Sequence, residues 1–260
     1  MSTTQSASLG SRISGSSFFQ SACLQARAPV AVIASNLAQN WAWEQPPSST
    51  AIPDDVPERR ATLAANMETA VNGLWDGMPG PGDRIAVVGG GVVGALVAAL
   101  AAQLPGAVVE LIDIDPSRAA LAAAFGCRFA TPQRACGEAD LVIHASGSPD
   151  GLATALAVAG FEATVVEMSW YGTGIVPLAL GGAFHSRRLT LRSSQVGAVP
   201  ASRGARWSRQ RRLTLALSLL RDPVFDLLLS DESDFVELPQ LMARLALSPN
   251  GVLCHTVRYD

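Results

Sequence analysis

The chain contains no lysine; all nineteen basic residues among its 260 are arginine. A lysine Schiff base and a Walker-type phosphate lysine are therefore excluded. Histidine is scarce as well. His144, His185 and His255 are the only three, and no metal-ligand spacing relates them. The four cysteines, Cys23, Cys127, Cys136 and Cys254, include no C-x-x-C pair. Neither a zinc knuckle nor a disulfide framework is indicated, and free thiols in a reducing cytoplasm are expected. Charged residues make up only 16% of the chain, with a net charge of −3, which gives no reason to expect a nucleic-acid partner. No apolar run approaches the roughly 20 residues of a membrane helix, and no charged segment precedes a long apolar one as in a secretory signal. A cytoplasmic protein without a membrane partner is expected. The lysine-free, Ala- and Arg-rich usage has the look of a high-GC bacterial coding bias.

Acidic residues are absent before Glu44. The Ser-rich stretch from Ser6 to Ser17 and the short patch Pro29–Ile33 show no strand alternation of useful length. Residues 1–51 are expected to be an irregular, poorly ordered leader. From Ile52 the pattern sharpens. Asp54, Asp55 and Pro57 suit a helix start, and Leu63, Met67, Ala70 and Leu74 recur at helical spacing. The glycines and prolines from Gly77 to Gly82 close this 52–82 segment.

Strands and helices then alternate. Apolar strands are expected at Ile85–Val88, Val108–Asp113, Cys127–Ala130, Leu141–Ala145, Thr164–Met168 and Leu189–Arg192. Helices are expected at Gly94–Gln103 and Pro116–Phe125. The pattern defines an α/β, doubly wound Rossmann domain with a six-stranded parallel sheet over residues 83–195. Helices at Arg211–Leu220 and Leu238–Leu247 and a strand at Val252–Arg258 make up residues 196–260.

The central motif is Gly89-Gly90-Gly91-Val92-Val93-Gly94, between a strand and a helix. Gly89 allows the tight turn, Gly91 lets backbone approach a pyrophosphate, and Gly94 lets helix and sheet pack closely. The N–H groups opening the helix, from Val92 and Val93 onward, face the phosphates. Asp113 closes the second strand, where a carboxylate accepts hydrogen bonds from the adenosine ribose and repels a 2′-phosphate. NAD is the expected cofactor, with NADP disfavoured. Arg118 on the adenosine side, Ser146 and Gly147 after the fourth strand, and Ser169 after the fifth are further candidate contacts. Ser193, Ser194 and Gln195 follow the sixth strand and could line the same crevice. The arginines around Trp207 read as a solvated loop entering a helix.

Several pieces in order resemble the zinc-type alcohol dehydrogenases of the medium-chain dehydrogenase/reductase superfamily. These are Pro57–Ala61 with Met67–Ala70, Pro81–Arg84 before the glycine loop, Asp113–Arg118, Asp140–Gly147, and Phe235, Leu238 and Met242 before a final strand. The resemblance implies hydride transfer between a nicotinamide and a small alcohol or carbonyl substrate, and a homodimer through the sixth-strand edge. It places Thr69 near the nicotinamide and Tyr171 at the substrate pocket, the two candidates for catalysis. It puts His255 where a pyrophosphate-contacting Arg stands, with a packed histidine as the alternative. The chain departs from the family in lacking the expected zinc ligands: Ala65 falls near the last ligand cysteine. No zinc is therefore expected, and residues 196–260 read as a remnant of a missing or truncated catalytic domain. Two rival readings stay open: an NAD(H)-binding module without catalysis, and an FAD-dependent oxidoreductase, whose loop often begins with three glycines. A methyltransferase fits less well, because position 93 is Val rather than Gly.

Overall fold

The computed structural model describes residues 22–24, 31–33, 49–247 and 251–258. In chain order the elements begin with β1 (Ala22–Leu24), β2 (Ala31–Ile33), β3 (Ser49–Ala51), α1 (Glu58–Ala61) and α2 (Ala64–Gly77). The α/β core follows as β4 (Arg84–Val88), α3 (Val92–Ala101), β5 (Val108–Ile112), α4 (Arg118–Ala124), β6 (Arg128–Ala130), β7 (Ala139–His144), α5 (Pro149–Val158), β8 (Ala159–Glu167) and β9 (Thr190–Ser193). The chain closes with α6 (Ala201–Gly204), α7 (Arg209–Leu219), β10 (Leu229–Asp234), α8 (Leu238–Leu247) and β11 (Cys254–Arg258).

The main sheet runs β6-β5-β4-β7-β8-β9, all parallel. This is the 3-2-1-4-5-6 order of the doubly wound dinucleotide folds, and it reverses direction between β4 and β7. Successive strand residues face opposite layers. Ile85, Val87, Leu111, Leu141 and Ile143 pack under α2, α3 and α7. Their neighbours Ala86, Val88, Ile112, Val142 and Val165 pack under α5 through Leu152, Ala155 and Leu156. Burial on both faces explains why these strands read as continuous apolar runs.

Three features differ from the sequence reading. Helix α5 was not foreseen, although Pro149 and Asp150 occupy its first turn as the rules for helix starts favour. Strand β10 was missed because Leu229–Asp234 is almost wholly polar; it pairs with β11, which also pairs with β1. The leader expected to be irregular supplies strands β1, β2 and β3; its remaining residues lie outside those described. Among the described residues no helix is long and apolar enough to cross a membrane. Cys127 and Cys136 are free, and burial pushes the Cys127 thiol up to about 11.

Candidate functional site

The site is built at the reversal point of the sheet, where the loops after β4 and β7 meet. Gly89 has φ +109° and donates its N–H to the Ile112 carbonyl at 2.8 Å. A Cβ on Gly89 would lie 2.7 Å from the Ser146 backbone, so the two loops touch here. A Cβ on Gly94 would lie 1.8 Å from the Gly89 carbonyl oxygen. Gly91 opens α3 without a side-chain cap, and a Cβ there would meet nothing within 4 Å. Val92 and Val93 bury their side chains, leaving only their backbone to face the loop. The uncapped helix start beside open space is the geometry that a diphosphate requires.

Asp113, one residue beyond β5, turns toward this loop. Its Oδ2 accepts the Gly90 N–H at 2.5 Å and its Oδ1 accepts the Asp115 N–H at 2.8 Å. A carboxylate has about four lone-pair directions, so acceptor capacity remains for sugar hydroxyls. Arg118 lies alongside: a Cβ on Gly90 would be 3.2 Å from its Cγ, and its Nε is 3.5 Å from Asp115 Oδ2. The structure thus brings Gly89, Gly91, Gly94, Asp113 and Arg118 together around one loop.

On the other side of the reversal stands a polar cluster that the sequence did not disclose. His144 ends β7 and is fully buried. Its Nδ1 lies 2.7 Å from Glu167 Oε2, at the end of β8, and its Nε2 lies 2.6 Å from Ser146 Oγ. His144 and Glu167 are register partners on adjacent strands, so their side chains share a face. Glu167 also accepts the Ser169 N–H at 2.6 Å and the Tyr171 hydroxyl at 3.1 Å. Ser169 Oγ in turn accepts the Gly147 N–H at 3.0 Å. Burial and the Glu167 carboxylate raise the Tyr171 phenol above its ordinary range. Ser146, Gly147, Ser169 and Tyr171 are therefore brought into one hydrogen-bonded group around His144. The signal in the sequence was the pair His144 and Ser146, spaced to share one side at a strand end. Glu167 could be found only from the pairing of β7 with β8.

Other candidates are placed elsewhere or are engaged within the protein. Thr69 sits in α2 and donates its hydroxyl to the Ala65 carbonyl at 2.9 Å. His255 is buried in β11 with its Nε2 2.9 Å from Ser233 Oγ, while its Nδ1 has no hydrogen-bond partner. Burial lowers its pKa. Ser194 donates to Asp76 Oδ2 at 2.7 Å, tying the end of β9 to α2. Arg212, expected on a solvated face, is buried. It donates to Glu68 at 2.9 Å and also to Asn72 and the Val196 carbonyl. Arg211 instead stacks on Trp207, 4.0 Å from its ring centroid. Among the described residues no group of three or more His, Cys, Asp or Glu is placed to hold a metal ion.

Sheet order and crossovers define a Rossmann-type architecture. No protein-family model matches the sequence, and no curated protein sequence matches it. Solved structures do. L-idonate 5-dehydrogenase from Escherichia coli shares a TM-score of 0.65 at 20% identity, over 79% of this chain and 58% of that one. A short chain alcohol dehydrogenase from E. coli complexed with NADH gives 0.64 at 18%, over 80% and 61%. A putative zinc-binding dehydrogenase from Sinorhizobium meliloti bound to NADP gives 0.62 at 18%, over 75% and 58%. The chain is similar in fold to part of these dehydrogenase structures and spans about three fifths of their length.

Proposed function

We propose that the protein is a nicotinamide-dependent oxidoreductase that prefers NAD(H) and acts on a small alcohol or carbonyl compound. The observation that carries this reading is the open, uncapped start of α3 at Gly91, flanked by a carboxylate anchored to the same loop. The neighbours of the same fold include NADH- and NADP-bound dehydrogenases. Gly89, Gly91, Val92, Val93 and Gly94 would hold the diphosphate through backbone, and Asp113 would hold the adenosine ribose. Arg118 would lie over the adenosine side, and Ser146, Gly147 and Ser169 would line the other half of the crevice. When bound, the nicotinamide supplies the hydride acceptor or donor; the chain binds and orients it and manages the proton. The preference for NAD(H) rests on Asp113, because a second negative charge beside a carboxylate is repelled. The test is titration with NADH and NADPH, followed by assays over simple alcohols and polyols. Tighter NADH binding with turnover supports the reading, and no binding of either dinucleotide at millimolar concentration overturns it.

A second reading is a binding module without catalysis. It is favoured by the hydroxyl protons of Thr69 and Tyr171, which are both donated within the protein. Saturable NADH binding without turnover across the panel would select it. For assembly we favour a homodimer through the β9 edge of the sheet.

A further inference from the structure

Ser146, His144 and Glu167 have the connectivity of a charge relay, and they stand where the Ser146 backbone touches the phosphate loop. Ser146 is exposed, whereas His144 is fully buried. Glu167 is the acceptor for Ser169 N–H and Tyr171 O–H, and it faces both carboxylate oxygens toward His144 Nδ1, at 2.9 and 2.7 Å. An acceptor of that kind fixes Nδ1 as the protonated ring nitrogen, as second-partner hydrogen bonds do. Nε2 is then an acceptor, and the Ser146 hydroxyl donates to it. Gly151 keeps this arrangement open: a Cβ there would lie 2.0 Å from Ser146 Oγ and 2.9 Å from His144 Nε2.

Such a triad serves either acyl transfer or proton transfer. Acyl transfer needs a pair of free N–H donors aimed at an oxyanion. Three N–H groups of the loops around Ser146 are already engaged: Gly147 N–H donates to Ser169 Oγ, Ser148 N–H to Ser146 Oγ itself and Gly90 N–H to Asp113. We infer that Ser146, His144 and Glu167 form a proton relay serving the dinucleotide crevice, with Ser146 as its catalytic terminus and His144 and Glu167 acting through it. In the oxidative direction the O–H bond of a substrate alcohol breaks and its proton passes to Ser146 Oγ. The Ser146 O–H bond breaks in the same event, and that proton is taken up by His144 Nε2. The resulting imidazolium faces Glu167. The hydride, when a nicotinamide is bound, leaves on the cofactor. In the reductive direction both protons run the other way. The inference rests on the oxidoreductase reading for its substrate, but not for its internal geometry.

The test is ¹⁵N NMR of the histidine-labelled full chain, alongside NADH titration and turnover of Ser146→Ala and Glu167→Gln. The wild type is expected to hold His144 as the Nδ1–H tautomer. Ser146→Ala should shift the Nε2 resonance. Glu167→Gln, which can offer an amide donor to Nδ1, should move the proton to Nε2. Both variants should lower kcat for alcohol oxidation about a hundredfold or more, and Ser146→Thr should restore part of it. A wild-type Nε2–H tautomer overturns the relay, as does turnover of Ser146→Ala within threefold of wild type. Labelling of Ser146 by a fluorophosphonate ester also overturns it, in favour of a nucleophilic serine. If NADH binds without alcohol turnover, the tautomer alone decides. If NADH fails to bind, the oxidoreductase reading falls while the tautomer still reports on the relay.

Discussion

At the scale of single residues the glycines of the loop divide into two kinds, and two substitutions separate them. Gly94→Ala forces a Cβ to 1.8 Å from the Gly89 carbonyl oxygen. Backbone cannot swing away as a flexible side chain can, so a loss of about 2–3 kcal/mol is expected in chemical denaturation. Gly91→Ala adds a Cβ to open space at a helix start. Its stability should stay within about 1 kcal/mol of wild type, while NADH binding weakens at least severalfold. Equal effects in both assays would contradict the division. Asp113→Asn removes a charge-assisted bond of about 1.5–3 kcal/mol, so NADH affinity should fall roughly tenfold to a hundredfold. Relative affinity for NADPH should rise; unchanged selectivity would remove Asp113 from the ribose site. These residues were legible because their spacing is local. His144 and Glu167 were not, because they meet only through the alignment of two strands whose last residues lie 23 positions apart.

At the scale of elements, α2 is fastened to α7 by a buried ion pair. Burial raises the Glu68 carboxyl from its ordinary 4.5, more than the Arg212 guanidinium lowers it. A carboxyl raised in the folded state contributes fully below 4.5 and loses that contribution as pH climbs through its shifted value. Arg212→Met leaves Glu68 buried without its partner and the Asn72 and Val196 oxygens without a donor. A loss of about 3 kcal/mol near neutrality is expected, shrinking on acidification as Glu68 takes up a proton. The double variant Glu68→Leu/Arg212→Met should recover more than half of it, and a pH-independent loss would assign the effect to packing alone. In the sequence, Arg212 belonged to a run of arginines that looked solvated. Its burial depends on α2, nearly 150 residues away, which no local pattern reveals. The central strands β4, β5, β7 and β8 were legible for the opposite reason: each carries buried apolar residues on both faces. Strands β6 and β9 are short and partly exposed, and their turn boundaries marked them instead. Elements that escaped notice lack such a signal: β10 is polar, β1, β2 and β3 are three residues each, and α5 begins on a proline.

At the scale of the whole molecule, a six-stranded sheet presents its β9 edge as unpaired backbone among the described residues, a surface that native proteins usually cover. Gel filtration with light scattering is expected to give about twice the 27.0 kDa chain mass; a monomer at micromolar concentration would remove β9 as an interface. A ligand that binds only the folded chain stabilises it by about 2.7 kcal/mol at a hundredfold excess over Kd. For a protein of this size that raises Tm by several degrees. The account as a whole stands on the loop at Gly89–Gly94 holding a dinucleotide, and calorimetric titration of NADH into the full chain tests it most directly. A saturable isotherm with Kd below about 1 mM, weakened in both Gly91→Ala and Asp113→Asn, is the predicted result. An isotherm without binding in the wild type would contradict it.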